Sequence, residues 1–154
     1  MKKKVSCGLI GYGTVGSGVC DLLKKNSGLV RDRTDIDVSI KTICDIRAKE
    51  IEADITDAAV TDDWKKVVND KAIDTVIELI GGIEPAKSII LESLKKGKNV
   101  VTANKKLLAE DGVEIFETEC RGAGKLGFES AGINRRTEAH SSLRIPTLNN
   151  APGT

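Results

Sequence analysis

The sequence predicts an α/β fold built on a doubly wound parallel sheet. Two observations carry that expectation. Short runs that are apolar throughout, rather than alternating with polar residues, recur along the chain and suit strands buried on both faces. Between them lie segments with apolar residues at helical spacing, so strand and helix alternate and right-handed crossovers leave little topological freedom.

The elements follow in order. "KKVSCGLIG" opens the chain as a strand, and a glycine-rich turn leads into a helix over 14–28. Val15, Val19, Leu22 and Leu23 recur there at helical spacing, and Gly28 is the expected stop. Residues 29–37 read as a polar connector. "VSIKTIC" is the second strand and ends at Asp45. A short helix near 46–52 and an extended piece around Ala59 to Thr61 come next. "TDDWKKVVND" reads as a short helix capped by Thr61 or Asp62, with Trp64, Val67 and Val68 turned inward. "DTVIELI" is a third clear strand, and Pro85 takes the first position of a helix that closes on Gly97. "NVVTA" is a further strand, a helix spans 112–121, and "KLGFE" is the last strand. From Ser130 neither periodicity persists, and the apolar content is too low to offset the entropy of ordering. Residues 1–129 are therefore expected to form one domain and 130–154 a disordered tail, with His140, the only histidine, as a solvated tail residue.

Composition narrows the function. A formal net charge of +1 with one Trp, one Tyr and two Phe gives neither a basic footprint nor a stacking platform for nucleic acid. No apolar run reaches the roughly 18 residues that span a bilayer, and the apolar stretch behind "MKKK" is too short for a signal peptide. Cys7, Cys20, Cys44 and Cys120 lie far apart without a CxxC pair, as expected of small hydrophobes in a reducing, cytoplasmic setting.

The chemistry sits at strand ends. Gly11, Gly13 and Gly16 have G-x-G-x-x-G spacing directly after a strand and opening a helix, around Tyr12, Thr14 and Val15. Gly11 permits the tight turn, Gly13 lets the backbone approach a pyrophosphate, and Gly16 allows close packing of helix on sheet. The free N–H groups of the helix start would receive the phosphates. A purely structural glycine turn is the alternative. Asp45 stands where a dinucleotide-binding fold wants an acid for the adenosine ribose, 29 residues past Gly16 instead of ~20. Arg47 just behind it either pairs with a 2′-phosphate or is a solvated surface residue. Asp45 therefore favours NAD while Arg47 makes NADP tolerable. Gly81 and Gly82 end the "DTVIELI" strand beside the nicotinamide half and leave room for the ring. Glu78, in an otherwise apolar run, either pairs with a cation or faces solvent. "VVTANKKLLA" runs a core strand into lysines; at the C-terminal edge of a parallel sheet such a lysine stands at the mouth of a ligand crevice. There its charge can meet a cofactor or substrate oxygen, and desolvation would suit it to proton transfer. The plainer alternative is that "NKK" starts a solvated helix.

"GLIGYGTVGSGV", "VIELIGG", "EPA" and above all "VVTANKKLLAEDG" followed by "GFE" resemble the nucleotide-binding domain of homoserine dehydrogenases, over about residues 4–129. The resemblance implies a Rossmann-like fold and oxidation of homoserine to aspartate 4-semialdehyde, or its reverse, with NAD or NADP, on the route to threonine and methionine. It implies that Lys105 lies between nicotinamide and substrate, while Lys106 does not inherit the role. Thr14 and Val15 would contact the pyrophosphate, and Glu129 would help bind a monovalent cation. Downstream, "ESAGINRRTEAH" departs from the family pattern, in which a substrate and dimerisation domain follows. A truncation or shifted reading frame, a homodimer only in a full-length form, and weak or absent turnover are the corresponding expectations. A dinucleotide sensor, or the nucleotide domain of another two-domain dehydrogenase, are the competing readings.

Overall fold

The computed structural model describes residues 3–122 and 124–128. The expected disordered tail, with His140, lies outside the described residues. Six parallel strands form one sheet: β1 (Lys3–Ile10), β2 (Ile36–Cys44), β3 (Ala59–Thr61), β4 (Thr75–Glu78), β5 (Asn99–Thr102) and β6 (Leu126–Phe128). Their order across the sheet is β3-β2-β1-β4-β5-β6. The chain therefore winds outward from β1 in both directions, and the order reverses between β1 and β4, where α/β sheets open a crevice.

Successive residues of β1 enter opposite cores, as strand pleating requires. Leu9 packs with Cys20 of α1 (Thr14–Thr34), Ile43 and Ile51 of α2 (Ala48–Ile51). Ile10 packs on the other face with Val67 and Val68 of α3 (Trp64–Asn69) and Ile89 of α4 (Ala86–Lys95). A third cluster joins α4 to α5 (Lys105–Arg121) through Leu94, Val100, Leu107, Ile115 and Leu126. Double coverage is nevertheless incomplete. Asn99 and Val101 of β5 point away from α4 and α5 and are exposed, because no helix among the described residues covers that side. Cys7, Cys20 and Cys44 are buried free thiols as expected, whereas Cys120 is exposed. Burial pushes the thiols of Cys7 and Cys44 up to about 11, with Asp74 and Asp45 adding to it, so neither is a ready nucleophile.

Four local expectations are corrected. The helix α1 does not stop at Gly28 but runs through the supposed connector to Thr34. Asp35, in the left-handed region at φ 56°, ends it by donating its N–H to the Arg31 carbonyl. A glycine inside a helix costs about 1 kcal/mol, which does not terminate a helix of this length. The cap of α3 is Asp63, whose carboxylate accepts from the Lys65 N–H, instead of Thr61 or Asp62. Pro85 is the residue before α4 rather than its first. The last helix begins at Lys105, seven residues before Gly112, with Asn104 as its cap.

Candidate functional site

The glycine turn is built as its spacing predicts. Gly11 has φ 102°, which disfavours any residue with a side chain. A Cβ on Gly16 would stand 2.0 Å from the Gly11 carbonyl oxygen, so only glycine lets α1 approach the end of β1 so closely. Gly13 has open space where a Cβ would be. It is also the residue before α1, with no side-chain hydrogen bond capping the helix and no acid in its first turn. The N-terminal amides and the positive end of a 21-residue helix are therefore left to an outside anion. Val15, one of the apolar residues at helical spacing, is 58 % exposed because it faces this opening, and Leu22 is likewise exposed; Gly16 and Cys20 supply the buried positions of α1.

One carboxylate holds the turn in place. Asp45, just past β2, accepts from the Tyr12 N–H at 2.8 Å, and from the Arg47 N–H at 2.9 Å and Nε at 3.2 Å. Arg47 also donates from its guanidinium to the Tyr12 carbonyl at 2.9 Å. Burial alone would raise the Asp45 carboxyl, but the amides of Arg47 and Tyr12 and the guanidinium outweigh it and hold it below the ordinary aspartate range. Tyr12 sends its ring down against the apolar cluster under α1 and presents only its backbone here. Arg47 is thus more than solvated surface: it braces the turn.

Across the switch point Glu78 does the same for the second glycine pair, and neither expectation for it holds. It is fully buried and pairs with no cation among the described residues. Its Oε1 accepts from the N–H groups of Ile80 at 2.8 Å and Gly81 at 3.2 Å, and its Oε2 accepts from the Thr102 hydroxyl at 2.6 Å. Thr102 accepts in turn from the Asn104 N–H at 3.0 Å. Asn104 donates its side-chain amide to the Gly82 carbonyl at 2.6 Å and accepts from the Leu107 N–H at 3.1 Å. Gly81 and Gly82 have φ 72° and 73° with open space around them, so within the protein their role is conformational, beyond any room they leave for a ring. The Thr102 and Asn104 positions of this bracing were not read from the sequence. The signal was there in Asn104, a favoured cap three residues before an apolar position.

Lys105 is the first residue of α5, exposed, at the same C-terminal sheet edge as the glycine turn. "NKK" does start a helix, as the plainer alternative had it, and that helix begins at the sheet edge that carries the glycine turn. Two lysines without an acid in the first turn oppose the helix dipole. Charge at this end of α5 is thus unfavourable to the helix itself and favourable to an anionic ligand. Val15, Glu78, Leu79, Gly81, Ala103 and Asn104 line a cleft of about 100 Å³ between the two turns. Larger hollows of about 470 and 450 Å³ lie elsewhere, the first at the N-terminal ends of β4 and β5, the second between α1 and β2. Size does not locate this site, because an open sheet edge is a crevice rather than a cavity. Glu129, expected at a cation site, lies outside the described residues. Among those described, no three acids, cysteines or histidines gather to hold a metal, and no helix is long and apolar enough to cross a membrane.

A glycine turn feeding an uncapped helix, an acid closing the neighbouring strand, and both at the switch point of a six-stranded parallel sheet define a Rossmann-like dinucleotide-binding domain. Residues 11–129 match the family described as the NAD-binding domain of homoserine dehydrogenase, and the chain belongs to it. It is 40 % identical to a homoserine dehydrogenase of Neisseria gonorrhoeae over 74 % of its length, and 40 % identical to that of Methylobacillus glycogenes over 95 %. It spans only 26 % and 32 % of those two proteins. Among solved structures, a homoserine dehydrogenase from Thiobacillus denitrificans aligns with TM-score 0.77 and 35 % identity, over 82 % of this chain and 30 % of that one. One from S. aureus aligns with TM-score 0.77 and 34 % identity, over 86 % and 34 %.

Proposed function

We propose that the chain is the cofactor-binding part of an enzyme that interconverts homoserine and aspartate 4-semialdehyde with NAD or NADP. The reading is supported by one juxtaposition: the glycine turn and Lys105 share a single sheet edge, on either side of the switch point. Gly13, Thr14 and Val15 would receive the pyrophosphate on the N-terminal amides of α1. Asp45 retains lone pairs for ribose hydroxyls, and Arg47 has guanidinium donors left for a 2′-phosphate. Gly81 would border the nicotinamide half. Bound NAD(P) supplies the hydride acceptor or donor. The part left to the chain is to orient it, to exclude water at the cleft, and to bring the Lys105 ammonium to a cofactor or substrate oxygen. We place the protein in the cytoplasm, where its buried thiols stay reduced, and assign homodimerisation to a full-length form.

Fluorescence titration with NADH and NADPH tests the cofactor reading. Saturable binding, weakened about tenfold by Lys105→Ala, is expected. A chain that binds neither nucleotide at millimolar concentration overturns it. Binding that Lys105→Ala leaves unchanged favours a sensor. Homoserine-dependent turnover by the 154-residue chain is expected to be slow or absent, since it spans only 26 % and 32 % of the Neisseria gonorrhoeae and Methylobacillus glycogenes enzymes. A robust rate would refute that.

A further inference from the structure

We propose that Glu78 is a positioning residue that makes the Gly81–Gly82 turn and the start of α5 one rigid lip, against which the nicotinamide half of the cofactor is held. The inference rests on the cofactor reading above. A fully buried carboxylate with no cation partner among the described residues is expensive unless every lone pair it offers is used. An uncharged residue would fill the end of β4 at less cost. What a carboxylate supplies is two acceptor oxygens facing different ways, one on the turn and the other on β5.

The bonds close a circuit. Ile80 and Gly81 donate to Glu78, which accepts from Thr102; Thr102 accepts from Asn104, which donates back to Gly82. The turn is thereby gripped at both ends, through β4 on one side and through the cap of α5 on the other. Two consecutive left-handed glycines would otherwise be the most mobile backbone at the crevice. Lys105 follows Asn104 directly, so the same circuit fixes where its side chain leaves the backbone. Positioning of this kind acts on the ring and leaves the adenosine half untouched, since that half meets Asp45 and Arg47 on the other side of the switch point.

The test compares NADPH with ADP-ribose, which lacks the nicotinamide, on the 154-residue chain carrying Glu78→Gln. The Gln carbonyl keeps the turn amides while its NH₂ cannot accept from Thr102. Glu78→Asp, one carbon shorter, is the second variant. We expect NADPH affinity to fall about tenfold in both, with ADP-ribose affinity unchanged within about twofold. Equal losses for both ligands, or no loss for either, overturn the proposal. Hydrogen exchange keeps the lip testable apart from the cofactor reading. The Ile80 and Gly81 amides should exchange at least about tenfold faster in Glu78→Asp, which withdraws their acceptor, with β1 amides unaffected. If the unsubstituted chain binds no nucleotide, the cofactor reading fails and exchange alone decides whether the lip exists. Unchanged exchange at Ile80 and Gly81 sinks it.

Discussion

The two sides of the crevice solve one problem with the same device in opposite surroundings. In each, a carboxylate at the end of a strand accepts backbone N–H groups from a glycine-containing turn: Asp45 from Tyr12, and Glu78 from Ile80 and Gly81. Asp45 keeps some contact with water and is balanced by the half-exposed guanidinium of Arg47. Glu78 has no exposure and, among the described residues, is balanced by hydrogen bonds alone. The difference is instructive. A carboxylate with water and a cation beside it can exchange partners when a ligand arrives, whereas a sealed one can only hold. The β1–β2 side thus suits the cofactor recognition we propose for it, and the β4–β5 side suits rigidity.

The comparison breaks first at Glu78→Leu. That substitution removes the acceptor of two part-buried amides and strands the buried Thr102 hydroxyl, and should lower stability by about 3 kcal/mol in urea unfolding. Asp45→Leu, whose partners can turn to water, should lower it by only about 1 kcal/mol. Equal losses would mean the two surroundings do not differ in the way described. Acid sharpens the contrast. The Asp45 carboxyl titrates lower in the folded chain than its ordinary 3.8. Its contribution is therefore fully present above about that pH and is lost as pH falls through the lower folded value. Thermal melts should show Asp45→Asn less stable than the parent at pH 7, and the gap should narrow as pH falls below the ordinary aspartate value. A gap that stays constant or widens would contradict the assignment.

Legibility followed the same division. The doubly wound fold was readable because short, largely apolar strands alternate with helical periods, and the turn after β1 was readable because Gly11, Gly13 and Gly16 stand close together in the sequence. The bracing side was not. Glu78 meets Thr102 across 24 positions of sequence, and Asn104 meets Gly82 across 22, so no local pattern reports either contact. The helix errors have a shared physical origin too. Gly28 and the lysines at the head of α5 are locally unfavourable in a helix, and in both places packing along the remaining turns prevails over a local cost of about 1 kcal/mol or less. Val15 shows the limit of periodicity in another way: its apolar side chain obeys the helical period yet faces the cleft, where the buried face of α1 gives way to the opening.

The smallest effect on stability separates the sides most cleanly. Gly13 and Gly82 look alike by space, since an added Cβ at either meets nothing within 4 Å. They differ in backbone. Gly13 sits at φ −86°, which any residue adopts, while Gly82 sits at φ 73°. Gly82→Ala should therefore lower stability by about 1 kcal/mol through backbone strain alone. Gly13→Ala should leave the melting temperature nearly unchanged, yet cut NADPH affinity by about tenfold or more, because the methyl group would fill the approach to the helix amides. Each alanine thus carries a signature the other lacks: lost stability at the bracing turn, lost affinity at the receiving one. Should Gly13→Ala bind NADPH as well as the parent chain, the open space at Gly13 is not the phosphate approach. The recognition side would then have to be sought away from the glycine turn.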